Sequence, residues 1–164
     1  MTVRSFVMWP DPRLGRIAAE VDAVTDEVRA IWDDMIDTME AMPGVGLAAV
    51  QIGVMQRLAV VDASDNRGQA IRMANPLILH SSVELRGHPE ASPNLPGVSA
   101  EIKRPRAVTV TYMDETGMQV RKDLVGLWAT SVQHQIDHLN GKMYFDRLSK
   151  MKRDILLRKA RKRA

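Results

Sequence analysis

Gln133-His134-Gln135-Ile136-Asp137-His138-Leu139-Asn140-Gly141 is the stretch on which the reading of this chain turns. Two of the chain's 4 histidines stand four residues apart in it. On a helix that spacing puts both imidazoles on one face, within reach of a single ion. The Asn140-Gly141 pair is a C-terminal stop for such a helix. The spacing by itself also fits a packed, hydrogen-bonded helix face, and it does not choose between the two. In the metalloprotease pattern H-E-x-x-H a glutamate follows the first histidine as general base. Here that position is Gln135, and a carboxamide does not accept a proton at neutral pH.

Outward from this stretch, a helix is expected over residues 127–139. Before it, Val108, Val110 and Tyr112 alternate with Thr109 and Thr111, a strand pattern that Asp114-Glu115-Thr116-Gly117 turns into a second strand over residues 118–124. Residues 86–106 hold Pro89, Pro93, Pro96 and Pro105 and read as irregular. Strands are expected over 78–85, 71–75 and 56–62, with Pro76 dividing the first two. Further back, Val28, Ile31, Trp32, Met35, Met39 and Met42 repeat at helical spacing from about Thr25 until Pro43-Gly44. The methionines there read as core filler. After Gly141, residues 148–163 predict a third helix with Met151, Ile155 and Leu156 on its apolar side. Helices flanking a run of antiparallel strands define an α+β fold in one domain over residues 1–164.

The chain has 164 residues, 45% hydrophobic and 26% charged, which suits a single ordinary core and argues against disorder. It has no cysteine, so disulfide scaffolds, thiolate metal sites and cysteine nucleophiles are excluded together. No apolar run approaches membrane-spanning length, the first residues lack a signal-peptide core, and a cytoplasmic location is expected. The net charge of +3 is uneven: residues 147–164 hold nine Lys/Arg against Asp154, a net +8, which leaves −5 for residues 1–146.

Gly44-Val45-Gly46-Leu47-Ala48-Ala49-Val50-Gln51 is a glycine-bearing loop whose backbone can approach a ligand, or a plain helix-to-strand connection. It fits a dinucleotide fingerprint poorly, because no strand precedes it. Taken together with Gln133–Gly141 and with Glu90-Ala91-Ser92-Pro93-Asn94-Leu95-Pro96-Gly97, it resembles the three motifs of the peptide deformylases. Their first motif, G-x-G-L-A-A-x-Q, stands complete. The third, Q-H-E-x-D-H-L-x-G, has one change, and the second, E-G-C-L-S-x-P-G, has several. The likeness covers nearly the whole chain, including Pro10–Leu14 and Asp146-Arg147.

The resemblance implies a deformylase fold. It also implies a divalent iron or zinc ion held by two histidines and a cysteine thiolate, with a bound water that attacks the formyl group of N-formyl-methionyl peptides. Carried onto this chain, the ligands are His134, His138 and Ser92, the last a neutral hydroxyl where the family has the thiolate. Such a set binds metal weakly at best, and no high-affinity Fe2+ or Zn2+ is expected. Gln135 stands at the glutamate that shuttles the proton, a loss of about 10²–10⁴-fold in rate. Pro93 replaces a leucine whose N–H binds the formyl oxygen, and proline has none to give; losing one such donor costs on the order of 10²–10³-fold. Gln51 keeps the family's formyl-binding carboxamide. Gly44, Val45, Gly46, Leu47, Val132 and Ile136 are expected to shape the methionine pocket, and Asp137 to support the site from behind.

The expectation is a bacterial deformylase-like pseudoenzyme linked to translation, without normal turnover. Two other readings stand beside it: a working metallohydrolase that recruits Glu90 or His88 as a replacement ligand, and a ribosome- or nucleic-acid-binding module. For the last, the basic C-terminal segment offers phosphate contacts, without aromatic residues for base stacking. Some bacterial deformylases dock on the ribosome through that helix. Neither specific DNA nor a membrane is expected as a partner.

Overall fold

The computed structural model describes residues 2–163. Helix α1 (Asp26–Ala41) begins where Thr25 accepts a hydrogen bond from Val28 N, with Asp26 and Glu27 in its first turn facing the positive end of the helix dipole. It leads to the short strand β1 (Gly46–Ala48), a 3-10 turn over Ala49–Ile52, and β2 (Leu58–Val61). Then come β3 (Ile71–Ser81), β4 (Leu85–Ser92), β5 (Leu95–Pro105), β6 (Ala107–Met113), β7 (Gln119–Val125), α2 (Leu127–Leu139) and α3 (Lys150–Arg163). Five strands form one antiparallel sheet in the order β1-β2-β3-β6-β7, and β4 and β5 form a separate two-stranded ribbon.

All four residues of β2 are buried, and alternate ones go to different cores. Ala59 and Val61 meet α2 through Ala129, Val132 and Leu139. Leu58 and Val60 meet α1 through Trp32, Met35 and Met39. The two helices thus cover both faces of this part of the sheet, and that is why β2 reads as an unbroken apolar run. A third cluster joins the ribbon to the C-terminal part: Leu95 and Ile102 pack with Tyr144, Phe145, Leu156 and Leu157.

Three expectations are corrected. Residues 86–106 are the β4–β5 hairpin, in register from Leu85 against Pro105 to Ser92 against Leu95. In a two-stranded ribbon every residue lies on an edge, where a missing N–H is tolerated, and Pro93 falls in the turn. Pro76 does not divide a strand. β3 runs through it with a register shift between Ala74 and Leu77, and Asn75 takes a left-handed φ of 51°. The Asn75 carboxamide both accepts from Val21 N and donates to Val21 O, which holds that conformation. In α3 the buried residues are Leu156, Leu157 and Ala160, whereas Met151 and Ile155 are 73% and 44% exposed.

Candidate functional site

The site lies where α2, the end of β4, the β4–β5 turn and the segment around β1 converge. A cleft of ≈130 Å³ opens there. Its walls include Val45, Gly46 and Gln51 from the β1 side, His88, Glu90, Ala91 and Pro93 from the ribbon, and Thr130, Ser131, His134 and Gln135 from α2. Gly46 is a glycine for want of room: a Cβ there would collide with Ser131 Oγ and Gln135 Nε2. Ser131 Oγ in turn donates to Val45 O at 2.8 Å, which ties α2 to this wall.

Arg104 organises the region behind the cleft. It is fully buried between two carboxylates. Its Nε and Nη2 donate to Glu90 Oε2 and Oε1 at 2.7 and 2.9 Å, and its Nη1 to Asp137 Oδ2 at 2.9 Å. Arg147 closes the chain of charges with bonds of 2.6 and 2.8 Å to Asp137. Burial pushes both carboxyls up, but their partners outweigh it. His134 and Arg104 hold Glu90 below its ordinary value, and Arg147 and Arg104 do the same for Asp137. Both are therefore ionised at neutral pH.

That charge fixes the histidines. Glu90 Oε1 lies 2.7 Å from His134 Nδ1, so Nδ1 carries a proton and donates to it, and the ring turns Nε2 away from the carboxylate. This Nε2 faces His138 Nε2 at 3.1 Å. His138 is completely buried, and burial, helped by His134, lowers its pKa well below 6.5. It is neutral, and its Nδ1 has no hydrogen-bond partner among the described residues.

Ser92 is engaged elsewhere. Its hydroxyl donates to Asn94 Oδ1 at 2.9 Å, and Gln51 Nε2 lies 3.4 Å from its Oγ. Gln51 is fixed at both ends of its carboxamide: Oε1 accepts from Ala48 N at 2.9 Å, and Nε2 donates to Asn94 Oδ1 at 2.7 Å. Gln135 Oε1 is buried without a partner among the described residues.

These residues do not fit a tightly bound divalent ion. His134 has the carboxylate behind it that metal-bound histidines use; His138 has none for Nδ1. The third position offers a neutral hydroxyl already donating to an amide oxygen. Among the described residues no group of three or more His, Asp or Glu is placed to share an ion. Glu90 does not serve as the replacement ligand either: Arg104 binds both its oxygens, and it meets His134 on the Nδ1 side, away from the point where the two Nε2 atoms converge. His88 lines the cleft and makes none of these contacts.

The cleft wall overlaps in part with the residues expected to shape the methionine pocket. Leu47, Val132 and Ile136 are not on the cleft wall. Leu47 points to α1, and Val132 and Ile136 lie on the face of α2 that packs against the sheet. Gly44 sits in the preceding turn, where its carbonyl accepts from Arg67. Met42, Leu127, Thr130 and Ser131 take their places. The last three lie one and two turns before His134 on the same helix face, a relation that the helical period already contains. The roles of Arg104 and Arg147, and the bonds of Asn94 to Val7 and Gln51, left no local signal, because those partners are 10 to 87 residues away in sequence.

A family model described as polypeptide deformylase matches residues 3–154. The chain is 40% identical to a peptide deformylase of Rhizobium meliloti over 166 residues, covering 100% of this chain and 95% of the relative. It is 41% identical to that of Bartonella henselae, with 100% and 94% covered. Among solved structures, peptide deformylase from Ehrlichia chaffeensis in complex with actinonin superposes with a TM-score of 0.93 at 37% identity, covering 99% and 98% of the two chains. That from Thermus thermophilus gives 0.90 at 37% identity, covering 98% and 94%.

Proposed function

The chain belongs to the peptide deformylase family, and from that premise we propose that it is a member that binds N-formyl-methionyl termini without removing the formyl group at an ordinary rate. One observation carries the proposal: the hydroxyl at the third ligand position, Ser92, is bound into a neutral hydrogen-bond cluster with Asn94 and Gln51. Two further losses add to it. Gln135 beside His134 cannot take or deliver a proton as a carboxylate does, and Pro93 brings no N–H to a developing oxyanion. What persists is a cleft walled by Val45, Gly46 and Met42 on one side and α2 on the other. It is closed behind by the ionised Glu90–Arg104–Asp137 chain.

Equilibrium binding of an N-formyl-methionyl tripeptide and of its unformylated counterpart tests the retained half of this reading. Saturable binding of the formylated peptide, recovered intact afterwards, is expected. No binding of either peptide would reduce the cleft to a relic.

A second reading concerns α3. A groove of ≈980 Å³ between β5 and α3 is lined by Lys103, Arg147, Lys152, Lys159 and Arg163, with Glu101 as its one acid. Several α3 cations serve the fold itself: Arg161 lies over the Trp9 ring, Arg163 donates to Gly97 O, and Arg153 pairs with Asp146. Lys152, Arg158, Lys159 and Lys162 remain for a polyanion, and we propose the ribosome as that partner. Co-sedimentation with ribosomes that survives low salt and fails for the Lys152→Gln/Arg158→Gln/Lys159→Gln/Lys162→Gln variant is the expected result.

A further inference from the structure

We propose that Asn94, rather than Ser92 alone, sets the site against a metal ion: it is a positioning residue whose locked side-chain oxygen presents an acceptor to position 92, where a hydroxyl can donate to it and a thiolate cannot. The inference deepens the reading of a metal-poor site and rests on it.

The backbone cannot reverse its hydrogen-bond polarity, and it fixes that of the side chains bonded to it. Ala48 N–H donates to Gln51 Oε1 at 2.9 Å, so the Gln51 NH₂ must point the other way. It donates to Asn94 Oδ1 at 2.7 Å. At the opposite end of the Asn94 carboxamide, Nδ2 donates to two backbone carbonyls, Val7 O and, at 3.1 Å, Gln51 O. A flipped Asn94 would set its oxygen against two carbonyls and its NH₂ against another NH₂. The amide is therefore locked, and Asn94 is wholly buried. Its own backbone carbonyl accepts from Trp9 N at 2.8 Å, which seats the turn against the N-terminal segment.

The consequence falls on residue 92. The locked Oδ1 lies 2.9 Å from Ser92 Oγ, and a hydroxyl satisfies it by donating. Zinc and iron take cysteine as the thiolate. A thiolate has no proton, so its lone pairs would face those of Oδ1 in a buried pocket, where an opposed pair of acceptors is costly. Two donors favour an anion at position 92, Gln51 Nε2 and Asn94 N, but each is 3.4 Å from Oγ. The shorter contact is the repulsive one. A hydroxyl at position 94, which can donate as well as accept, removes the conflict.

The test is metal titration of the full chain with Co2+, read by the sulfur-to-metal absorption band, and with Zn2+ by competition against a chelating dye. Three proteins are compared: the unmodified chain, Ser92→Cys, and Ser92→Cys/Asn94→Ser. The double variant is expected to bind at least ~10-fold more tightly than the single, the scale of effect that supporting groups have on metal sites. Equal affinities, or no binding by either variant, would overturn the role given to Asn94. Ser92→Cys/Asn94→Ala is read in place of the double variant if thermal melting shows that the serine does not fold. It carries the same expectation, because it too removes Oδ1. Tight stoichiometric binding by the unmodified chain is a different failure and counts against the proposed function.

Discussion

At the scale of single residues, the centre of gravity is Arg104. A guanidinium with no exposure, held by Glu90 and Asp137, satisfies two buried carboxylates at once. Arg104→Leu strips both of their common partner, and breaking a buried pair from one side costs about 3–5 kcal/mol. Chemical denaturation at pH 7 should show a loss of that size, with the slope against denaturant unchanged. The same cluster sets the acid limit of the fold. The pKa values of Glu90 and Asp137 are lowered in the folded state from 4.5 and 3.8. Their contribution is fully present above the ordinary carboxylate range and is lost as pH falls through it and below. Melting temperature measured from pH 7 down to pH 2 should fall mainly below about pH 4.5, and Arg104→Leu should flatten that fall.

At the scale of elements, α3 separates packing from charge. Leu156 is 6% exposed between the ribbon and Phe145, whereas Ile155 beside it is 44% exposed. Leu156→Ala should cost about 2–4 kcal/mol, and Ile155→Ala should stay within ~0.5 kcal/mol; urea melts of the two variants give the comparison. The β1–α2 contact is tight in a different way. Gly46→Ala pushes a methyl group into Ser131 and Gln135, and overpacking of this kind costs about 1–3 kcal/mol. The double change Gly46→Ala/Ser131→Gly should recover part of that loss.

Elements also differ in how legible they were. The 3.6-residue period of Val28 to Met42 and the Pro43-Gly44 stop announced α1, and the His134–His138 spacing with Asn140-Gly141 announced α2 and its end. The β4–β5 hairpin was hidden because four prolines are a poor strand signal unless the strand is known to be an edge. In α3 the pattern set Met151 and Ile155 beside Leu156 as the apolar side, and docking on Tyr144 and Phe145 instead buries Leu156, Leu157 and Ala160. Within the site, the motif positions were readable as letters, but their hydrogen-bond polarity was not. The Ala48–Gln51–Asn94–Ser92 chain exists only after two separate segments meet.

At the scale of the whole molecule, the deformylase fold is kept. A TM-score of 0.93 to an Ehrlichia chaffeensis peptide deformylase coexists with Ser92, Gln135 and Pro93 at the positions where the motif resemblance implies a ligand, a base and an oxyanion donor. The substitutions fall around the cleft, and the buried ion chain and the two cores flanking the sheet hold the walls in place. No helix of the described residues is long and apolar enough to cross a membrane. The absence of cysteine thereby acquires a local meaning: at position 92 a hydroxyl that donates to Asn94 stands where the family places a thiolate. The most direct measurement is formate release from an N-formyl-methionyl tripeptide by the unmodified chain, with Fe2+ or Zn2+ supplied and metal content determined on the same sample. The comparison is with Ser92→Cys/Pro93→Leu/Asn94→Ser/Gln135→Glu. Substoichiometric metal and turnover at least ~10³-fold below the quadruple variant are predicted, given separate losses of base and oxyanion donor that do not fully add. Stoichiometric metal with turnover within about tenfold of that variant would contradict the account.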